Sequence, residues 1–244
     1  MVCAVNIHRL LFHLMSREKS MLVDVVALST AKCSAPIQAE LKYATKKNFT
    51  GSIIAGYDPM AKDFALMSPA AANKLCDVQN YLLEKHGYGL KIFDAYRPKR
   101  AVNYLMFWAK KPAQNAYEIE RKEKHYPDIE KNKLFDLGYV AEDSGHCYGN
   151  TVDLILVNMS TGKKVSMGTR FDYMNEKSHI TATADVIGTD ALFNRNILAQ
   201  AMYKFGFEPY PKEYWHFSHG GIKGRENETP LDIPITPEMK GLLL

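Results

Sequence analysis

The sequence predicts an α+β fold with a mostly antiparallel central sheet and flanking helices. Strand-like and helix-like segments occur in similar numbers, and they lack the regular βαβ alternation that a parallel sheet needs. Hydrophobic residues make up 46% of the 244 residues and charged residues 24%, which excludes disorder and collagen-like repeats. No linker interrupts the later chain, so we expect one domain over residues 36–244 after an extension over residues 1–35.

Cap residues and helical spacing of apolar side chains predict three helices. The first begins at Ser68-Pro69, where a capping residue precedes proline at the first helical position, and it ends at Gly87. The second begins at Pro98, and the third covers residues 194–205.

Apolar and β-branched runs predict three strands, over residues 89–95, 151–157 and 214–217. The run at 151–157 (TVDLILV) is the clearest, because turn-forming residues lie on both sides of it. Residues 110–135 are polar and rich in lysine, which indicates a long surface excursion.

Charge and cysteine content limit the class of protein further. The net charge of +4 is small and spread along the chain, so we expect no nucleic-acid partner. No segment approaches the roughly 18 apolar residues of a membrane span. The four cysteines form no C-x-x-C pair, which favours reduced thiols in a cytosolic protein.

The N-terminus has two open interpretations. Residues 21–30 (MLVDVVALST) follow a charged segment and could be the apolar part of a signal peptide. Asp24 inside this segment argues against that, and a strand over residues 22–28 explains the pattern equally well. We expect a cytoplasmic protein, with a periplasmic or secreted location as the alternative if a signal peptide is present.

Residues 144–153 (SGHCYGNTVD) place His146 and Asp153 seven positions apart, at the start of the clearest strand. Imidazole nitrogen and carboxylate oxygen both bind zinc, at about 2.0–2.2 Å. A carboxylate in an apolar strand must be paired or bound to metal, because burying a lone charge is costly. The alternative is a hydrogen-bonded core histidine and a strand-end aspartate.

Residues 213–216 (EYWH) bring a third candidate ligand and a carboxylate together. In zinc peptidases the metal activates water and a nearby glutamate takes its proton, which suggests His216 as ligand and Glu213 as base. His219 is a rival ligand, but it precedes a Gly-Gly turn signal, whereas His216 lies within the apolar run. The alternative is a surface glutamate beside an aromatic core strand.

Residues 94–100 (DAYRPKR) place Arg97 directly after a predicted strand. Its guanidinium is a rigid, permanently charged donor that could hold a developing oxyanion or a substrate carboxylate. The alternative is an ordinary salt bridge to Asp94. Together with the two preceding segments, this arginine completes the side chains of a zinc peptidase with three protein ligands and an open fourth position.

Five stretches of the sequence resemble the VanX-like D-alanyl-D-alanine dipeptidases, a branch of the zinc D,D-peptidases. The resemblance covers residues 41–217, and S-x-H-x-x-G-x-x-x-D with E-x-W-H is specific for the wider group. The stretches are KYATKKNFTG (42–51), YGLKIFDAYRPKRAV (88–102), GYVAEDSGHCYGNTVDL (138–154), MGTRFDYMNEKSH (167–179) and EYWHF (213–217). The first and fourth of them narrow the match to the dipeptidase branch.

The resemblance implies a role for each matching position and a zinc D,D-peptidase-like fold. His146, Asp153 and His216 match the ligands of one zinc ion per chain. Glu213 matches the catalytic base, and Arg97 matches the arginine that stabilises the transition state.

Three further positions match residues of the dipeptide pocket in that family. They are Tyr43, Ser144 and Asp172, and Asp172 would pair with the free amine of the substrate. Two positions depart from the pattern. Thr151 stands where alanine is common, and Cys147 follows a zinc ligand and could offer a thiolate to another metal.

The function implied is zinc-dependent hydrolysis of D-Ala-D-Ala or a related small D,D-dipeptide, linked to peptidoglycan precursor or wall-fragment metabolism. One alternative is a D,D-carboxypeptidase or endopeptidase that acts on wall peptides. Another is a zinc-bearing binding domain without catalysis. The sequence does not indicate an oligomeric state.

Overall fold

A computed structural model describes residues 21–113, 115–221 and 228–243. The central sheet has five strands, in the order β2 (Gln38–Ala39), β4 (Tyr88–Asp94), β5 (Thr151–Asn158), β7 (Glu213–His219) and β6 (Phe207–Tyr210). Only β2 and β4 pair in parallel, and the other pairings in this sheet are antiparallel. The predicted α+β class with a mostly antiparallel sheet is therefore confirmed.

Helices flank this sheet, and a small second sheet lies beside it. The helices are α1 (Val25–Lys32), α2 (Pro69–His86), α3 (Lys99–Lys110), α4 (Ala116–His125), α5 (Ala184–Ile187) and α6 (Thr189–Lys204). Strands β1 (Val23–Asp24) and β3 (Leu66–Met67) pair antiparallel in the second sheet. Helices α2 and α6 contact each other and the central sheet. No helix among the described residues has both the length and the apolar character needed to cross a membrane.

Helix α2 has the predicted bounds, and its caps explain them. The Ser68 hydroxyl accepts a hydrogen bond from the Ala71 amide at 3.4 Å, and Pro69 occupies the first turn. Gly87 ends the helix in the left-handed region at a φ of 64°, which glycine reaches without steric cost. The predicted strands at residues 89–95, 151–157 and 214–217 correspond to β4, β5 and β7.

One helix was predicted too short and another was not predicted, because both are stabilised by contacts of polar side chains. Helix α6 begins five residues before the predicted start. Its residues Asn194 and Arg195 are buried and donate to the carbonyls of Ser166 and Met167. These buried polar residues hide the apolar periodicity that marks a helix.

The predicted surface excursion over residues 110–135 contains helix α4. The Asn115 side chain caps it by accepting from the Glu118 amide at 3.0 Å, and a buried ion pair joins Glu118 to Lys131. This helix was not predicted, because its composition is polar and rich in lysine, and a cap and an ion pair stabilise it instead of an apolar face.

Residues 21–35 pack with the rest of the described chain. The predicted strand over residues 22–28 is limited to two residues, because Asp24 accepts hydrogen bonds from the Val26 and Ala27 amides and caps helix α1. Leu22 and Val25 belong to the main hydrophobic core. The interpretations that concern residues 1–20 lie outside the described residues.

Gly149 sets the geometry between the short 3-10 helix Gly145–Tyr148 and strand β5. Its φ is 74°, and a Cβ atom there would lie 2.8 Å from Leu22 Cδ2 and 3.2 Å from the Ser68 amide nitrogen. We expect Gly149→Ala to lower the free energy of unfolding in urea by about 2–4 kcal/mol, from left-handed strain plus overpacking.

Gly162→Ala is the matched control for this substitution. Its φ is 68°, but nothing lies within 4 Å of the added Cβ, so only the conformational cost of about 1 kcal/mol applies. Equal losses of unfolding free energy in the two variants would show that the close contacts at Gly149 do not contribute to the destabilisation.

Candidate active site

The register of three neighbouring strands sets the first row of the site. The pairing of β4 with β5 shifts after Ile92, which places Asp94 opposite Asp153. In the next pairing, Asp153 lies opposite His216. Because opposed side chains of neighbouring strands lie close together, two carboxylates and one imidazole meet at this row.

His146 reaches the same row from the 3-10 helix Gly145–Tyr148. Its Nδ1 lies 2.6 Å from the Ala95 carbonyl oxygen, and a carbonyl can only accept, so Nδ1 carries the proton. The lone pair therefore belongs to Nε2, which lies 3.3 Å from Asp153 Oδ2. A backbone acceptor that fixes the tautomer in this way is typical of metal-binding histidines.

His216, and not His219, joins this group. Its Nδ1 lies 3.0 Å from Asp153 Oδ1, and one ligand atom each from His146, Asp153 and His216 all lie within 4.8 Å of one another. His219 is instead packed against Phe207, with 5.1 Å between ring centroids.

This cluster fits a divalent cation. His146 Nε2 and Asp153 Oδ1 are buried and have no hydrogen-bond partner in the described part of the chain, a costly state unless another group satisfies them. Two imidazoles and one carboxylate match the kind of three-ligand set that holds a divalent metal in catalytic sites and leaves one position open.

Glu213 lies beside the cluster without joining it. Its Oε2 is 3.6 Å from His216 Nδ1, although residues three apart on a regular strand face opposite ways. The pairing of β6 with β7 is irregular at this point, which lets both side chains project into the site. Burial raises the pKa of Glu213 well above its usual value, and the charges of Asp153 and Asp172 raise it further.

Arg97 is held in place by Asp94 and Tyr57. Arg97 Nε donates to Asp94 Oδ2 at 2.9 Å, and the Tyr57 hydroxyl donates to Asp94 Oδ1 at 2.6 Å. Arg97 Nη2 lies 3.6 Å from Asp153 Oδ2. The alternative salt bridge to Asp94 is therefore present, and it aims the guanidinium at the cluster. No sequence pattern indicated Tyr57, which lies outside the helices and strands.

Asp172 lines the same cavity as the cluster, and one of its oxygens is unsatisfied. Its Oδ2 is buried and has no hydrogen-bond partner among the described residues, while Oδ1 accepts from the Tyr43 hydroxyl at 3.4 Å. Its backbone φ of 57° is the only positive value at a non-glycine residue in the described chain, and His125 Nδ1 lies 2.9 Å from its carbonyl oxygen. Burial, then repulsion from Asp153, raises the pKa of the Asp172 carboxyl well above its usual value.

All eight residues singled out from the sequence line one cavity of about 100 Å³. They are Tyr43, Arg97, Ser144, His146, Asp153, Asp172, Glu213 and His216. Further walls come from Tyr139, Val140 and Tyr210, which the sequence did not single out because aromatic and apolar residues at a pocket resemble those of a core.

Neither of the two departures from the family pattern lines this cavity. Cys147 is buried, and burial raises the pKa of its thiol to about 11, so it is not a thiolate near neutral pH. The Thr151 hydroxyl lies 2.8 Å from the Ser218 hydroxyl across β5 and β7. Cys33, Cys76 and Cys147 are all free thiols.

Two histidines, an aspartate and an adjacent glutamate on a mixed α/β fold define a metallohydrolase-type site. Comparison with known proteins gives the family. The peptidase M15 model, described as D-ala-D-ala dipeptidase, matches residues 25–232, and the chain belongs to this family of metallopeptidases. It is therefore an enzyme of the hydrolase class, and the resemblance found in the sequence is confirmed.

Three relatives carry the name D-alanyl-D-alanine dipeptidase. The protein from Enterococcus faecalis is 41% identical over 181 residues, which cover 74% of this chain and 85% of the relative. The protein from Streptomyces coelicolor is 38% identical over 204 residues, 82% of this chain and 93% of the relative. The protein from Escherichia coli is 29% identical over 181 residues, 74% and 78% of the two chains.

Proposed function

We propose that this protein hydrolyses D-Ala-D-Ala, or a related small D,D-dipeptide, with one zinc ion per chain. The observation that carries the proposal is the convergence of His146, Asp153 and His216, with unsatisfied buried ligand atoms, beside Glu213. The names of the relatives support the choice of substrate. The products are free amino acids, which fits a role in peptidoglycan precursor or wall-fragment metabolism.

Glu213 acts as general base and then as general acid. A bound zinc ion supplies Lewis acidity toward a water molecule and the scissile carbonyl. Glu213 accepts a proton from the attacking water as the water oxygen forms a bond to the scissile carbonyl carbon. It then returns the proton to the leaving amine as the amide C–N bond breaks. Its pKa, raised by burial, is lowered when a cation offsets the charge of Asp153.

Arg97 stabilises the oxyanion that develops on the scissile carbonyl. Asp94 and Tyr57 hold its guanidinium in one orientation, so little reorganisation is needed during the reaction. By analogy with other oxyanion donors, this contact is worth about 2.7–4 kcal/mol.

The size of the cavity and the open oxygen of Asp172 favour a dipeptide over a wall peptide. A volume of about 100 Å³ leaves little room beyond a very small ligand. A D,D-carboxypeptidase or endopeptidase would need an open groove where Asp172 stands. The buried Oδ2 of Asp172 has no hydrogen-bond partner among the described residues. The free ammonium of a dipeptide supplies that partner.

We expect N-acetyl-D-Ala-D-Ala to be hydrolysed at least about 10³-fold less efficiently than D-Ala-D-Ala, in kcat/KM. Acetylation removes the ammonium and leaves Oδ2 of Asp172 buried without a partner among the described residues. In the variant Asp172→Asn, the ratio between the two substrates should shrink. Comparable rates for free and acetylated dipeptides in the wild-type enzyme would refute the role of Asp172.

Release of D-alanine with and without a chelator tests the proposed activity against its alternatives. The proposal expects rapid cleavage of D-Ala-D-Ala, loss of cleavage with the chelator and recovery with added zinc. Preferential cleavage of an acylated wall peptide would instead indicate a carboxypeptidase or endopeptidase. Zinc binding without any cleavage would indicate a binding domain.

A further inference from the structure

A second cavity shares a wall with the candidate active site. Its volume is about 580 Å³, which is far larger than the roughly 100 Å³ of the first cavity. Lys42 lines the second cavity, and the next residue, Tyr43, lines the first. In the same way Phe171 lines the second and Asp172 the first. The two cavities therefore lie back to back across the same chain segments.

Positive charge dominates the walls of this second cavity. None of the described residues that line it is acidic, and four of them are cationic: Lys42, Lys47, Lys164 and Arg170. Neither Lys47 nor Arg170 forms an ion pair with any described carboxylate. A concave surface with one sign of charge concentrates ligands of the opposite sign.

One carboxylate at the edge of the cavity is shared among three lysines. Glu40 bonds to Lys42, lies 2.8 Å from Lys91 Nζ and lies 3.9 Å from Lys164 Nζ. Three ammonium groups against one carboxylate leave an excess of two positive charges. Burial, together with repulsion from Lys42, lowers the pKa of Lys164, as expected where cations are crowded without enough counter-charge.

An aromatic floor lies under these cations. The Phe93 and Phe171 rings pack with centroids 5.0 Å apart. Lys42 Nζ and Lys164 Nζ lie 4.7 and 4.8 Å from the Phe93 ring centroid. The cavity thus combines an apolar surface for an organic group with ammonium groups at its edge for an anion.

We propose that this second cavity binds a small organic phosphate, with its phosphate beside Lys42, Lys164 and Arg170 and its organic part against the half-buried ring of Phe171. A phosphate monoester carries a charge of about −1.5 to −2 near neutral pH, which the cationic residues that line the cavity offset. It also offers several acceptor oxygens to lysine and arginine donors. No step of the proposed hydrolysis uses these residues.

Isothermal titration calorimetry with phenyl phosphate on the full-length enzyme tests this site. We expect saturable binding at one site, tighter than that of inorganic phosphate because the ring covers the aromatic floor. Lys164→Glu and Arg170→Glu should each weaken binding by about tenfold or more, since each removes a charge-assisted contact. Lys204→Glu, with the same charge change at the exposed end of helix α6, should leave binding within about twofold.

The comparison of variants separates this site from the candidate metal site. Lys164→Glu is expected to fold, because it replaces a cation repelled by its neighbours with an anion that they attract. Binding that persists in both charge-reversal variants but disappears in His216→Ala would place the phosphate at the metal cluster and overturn the proposal. Absence of binding to the wild-type enzyme would overturn it as well, and equal affinity for phosphate and phenyl phosphate would refute the role of the aromatic floor.

Discussion

Replacement of Glu213 by glutamine should remove nearly all dipeptide hydrolysis and leave the metal in place. The amide keeps the size of the side chain but cannot accept a proton from water, so we expect kcat to fall by about 10³-fold or more. Glu213 lies beside the ligand cluster and is not one of the three converging ligands, so metal content should not change. Glu213→Ala should give the same loss of turnover.

The measurements are the rate of D-alanine release and the metal content of the same purified sample. Glu208→Gln is the matched control, because Glu208 is an exposed carboxylate on the neighbouring strand β6, and it should retain wild-type turnover. Substantial activity in Glu213→Gln with a full complement of metal would mean that another group acts as the base.

Replacement of His216 by alanine should remove both metal and activity. Loss of a residue that only orients a ligand already weakens metal binding by about 10–100-fold, and loss of a direct ligand should cost more. Without the metal, the buried carboxylate of Asp153 would also lack its cation. This further disfavours the native arrangement of the site.

His219→Ala distinguishes a ligand from a nearby histidine on the same strand. His219 contacts Phe207 and lies outside the ligand cluster, so this variant should keep one zinc ion per chain. Purified His216→Ala with a full zinc equivalent, together with metal loss in His219→Ala, would reassign the third ligand.

Local sequence patterns predicted the elements that depend on local physics. Helix α2 has its predicted ends because Ser68, Pro69 and Gly87 act within a few residues of themselves. Strand β5 was recognisable because it is buried along nearly its whole length and is rich in β-branched residues. The eight candidate site residues meet in one cavity. Residue type and spacing indicated five of them, whereas Tyr43, Ser144 and Asp172 were indicated by the family resemblance alone.

What the sequence could not predict depends on register and on distant contacts. The register shift after Ile92 that sets Asp94 opposite Asp153, and the irregular pairing that turns Glu213 and His216 the same way, arise from the sheet as a whole. The support of Arg97 by Tyr57 through Asp94 joins residues 37 positions apart, and no local pattern indicates such a partner.

Diffraction data collected above and below the zinc absorption edge, from crystals grown with zinc, would locate the metal and its ligands. We expect one anomalous peak per chain, about 2.0–2.2 Å from His146 Nε2, an Asp153 oxygen and His216 Nδ1, with Glu213 outside bonding distance. A cluster without a peak, or a peak bound by other side chains, would contradict this expectation.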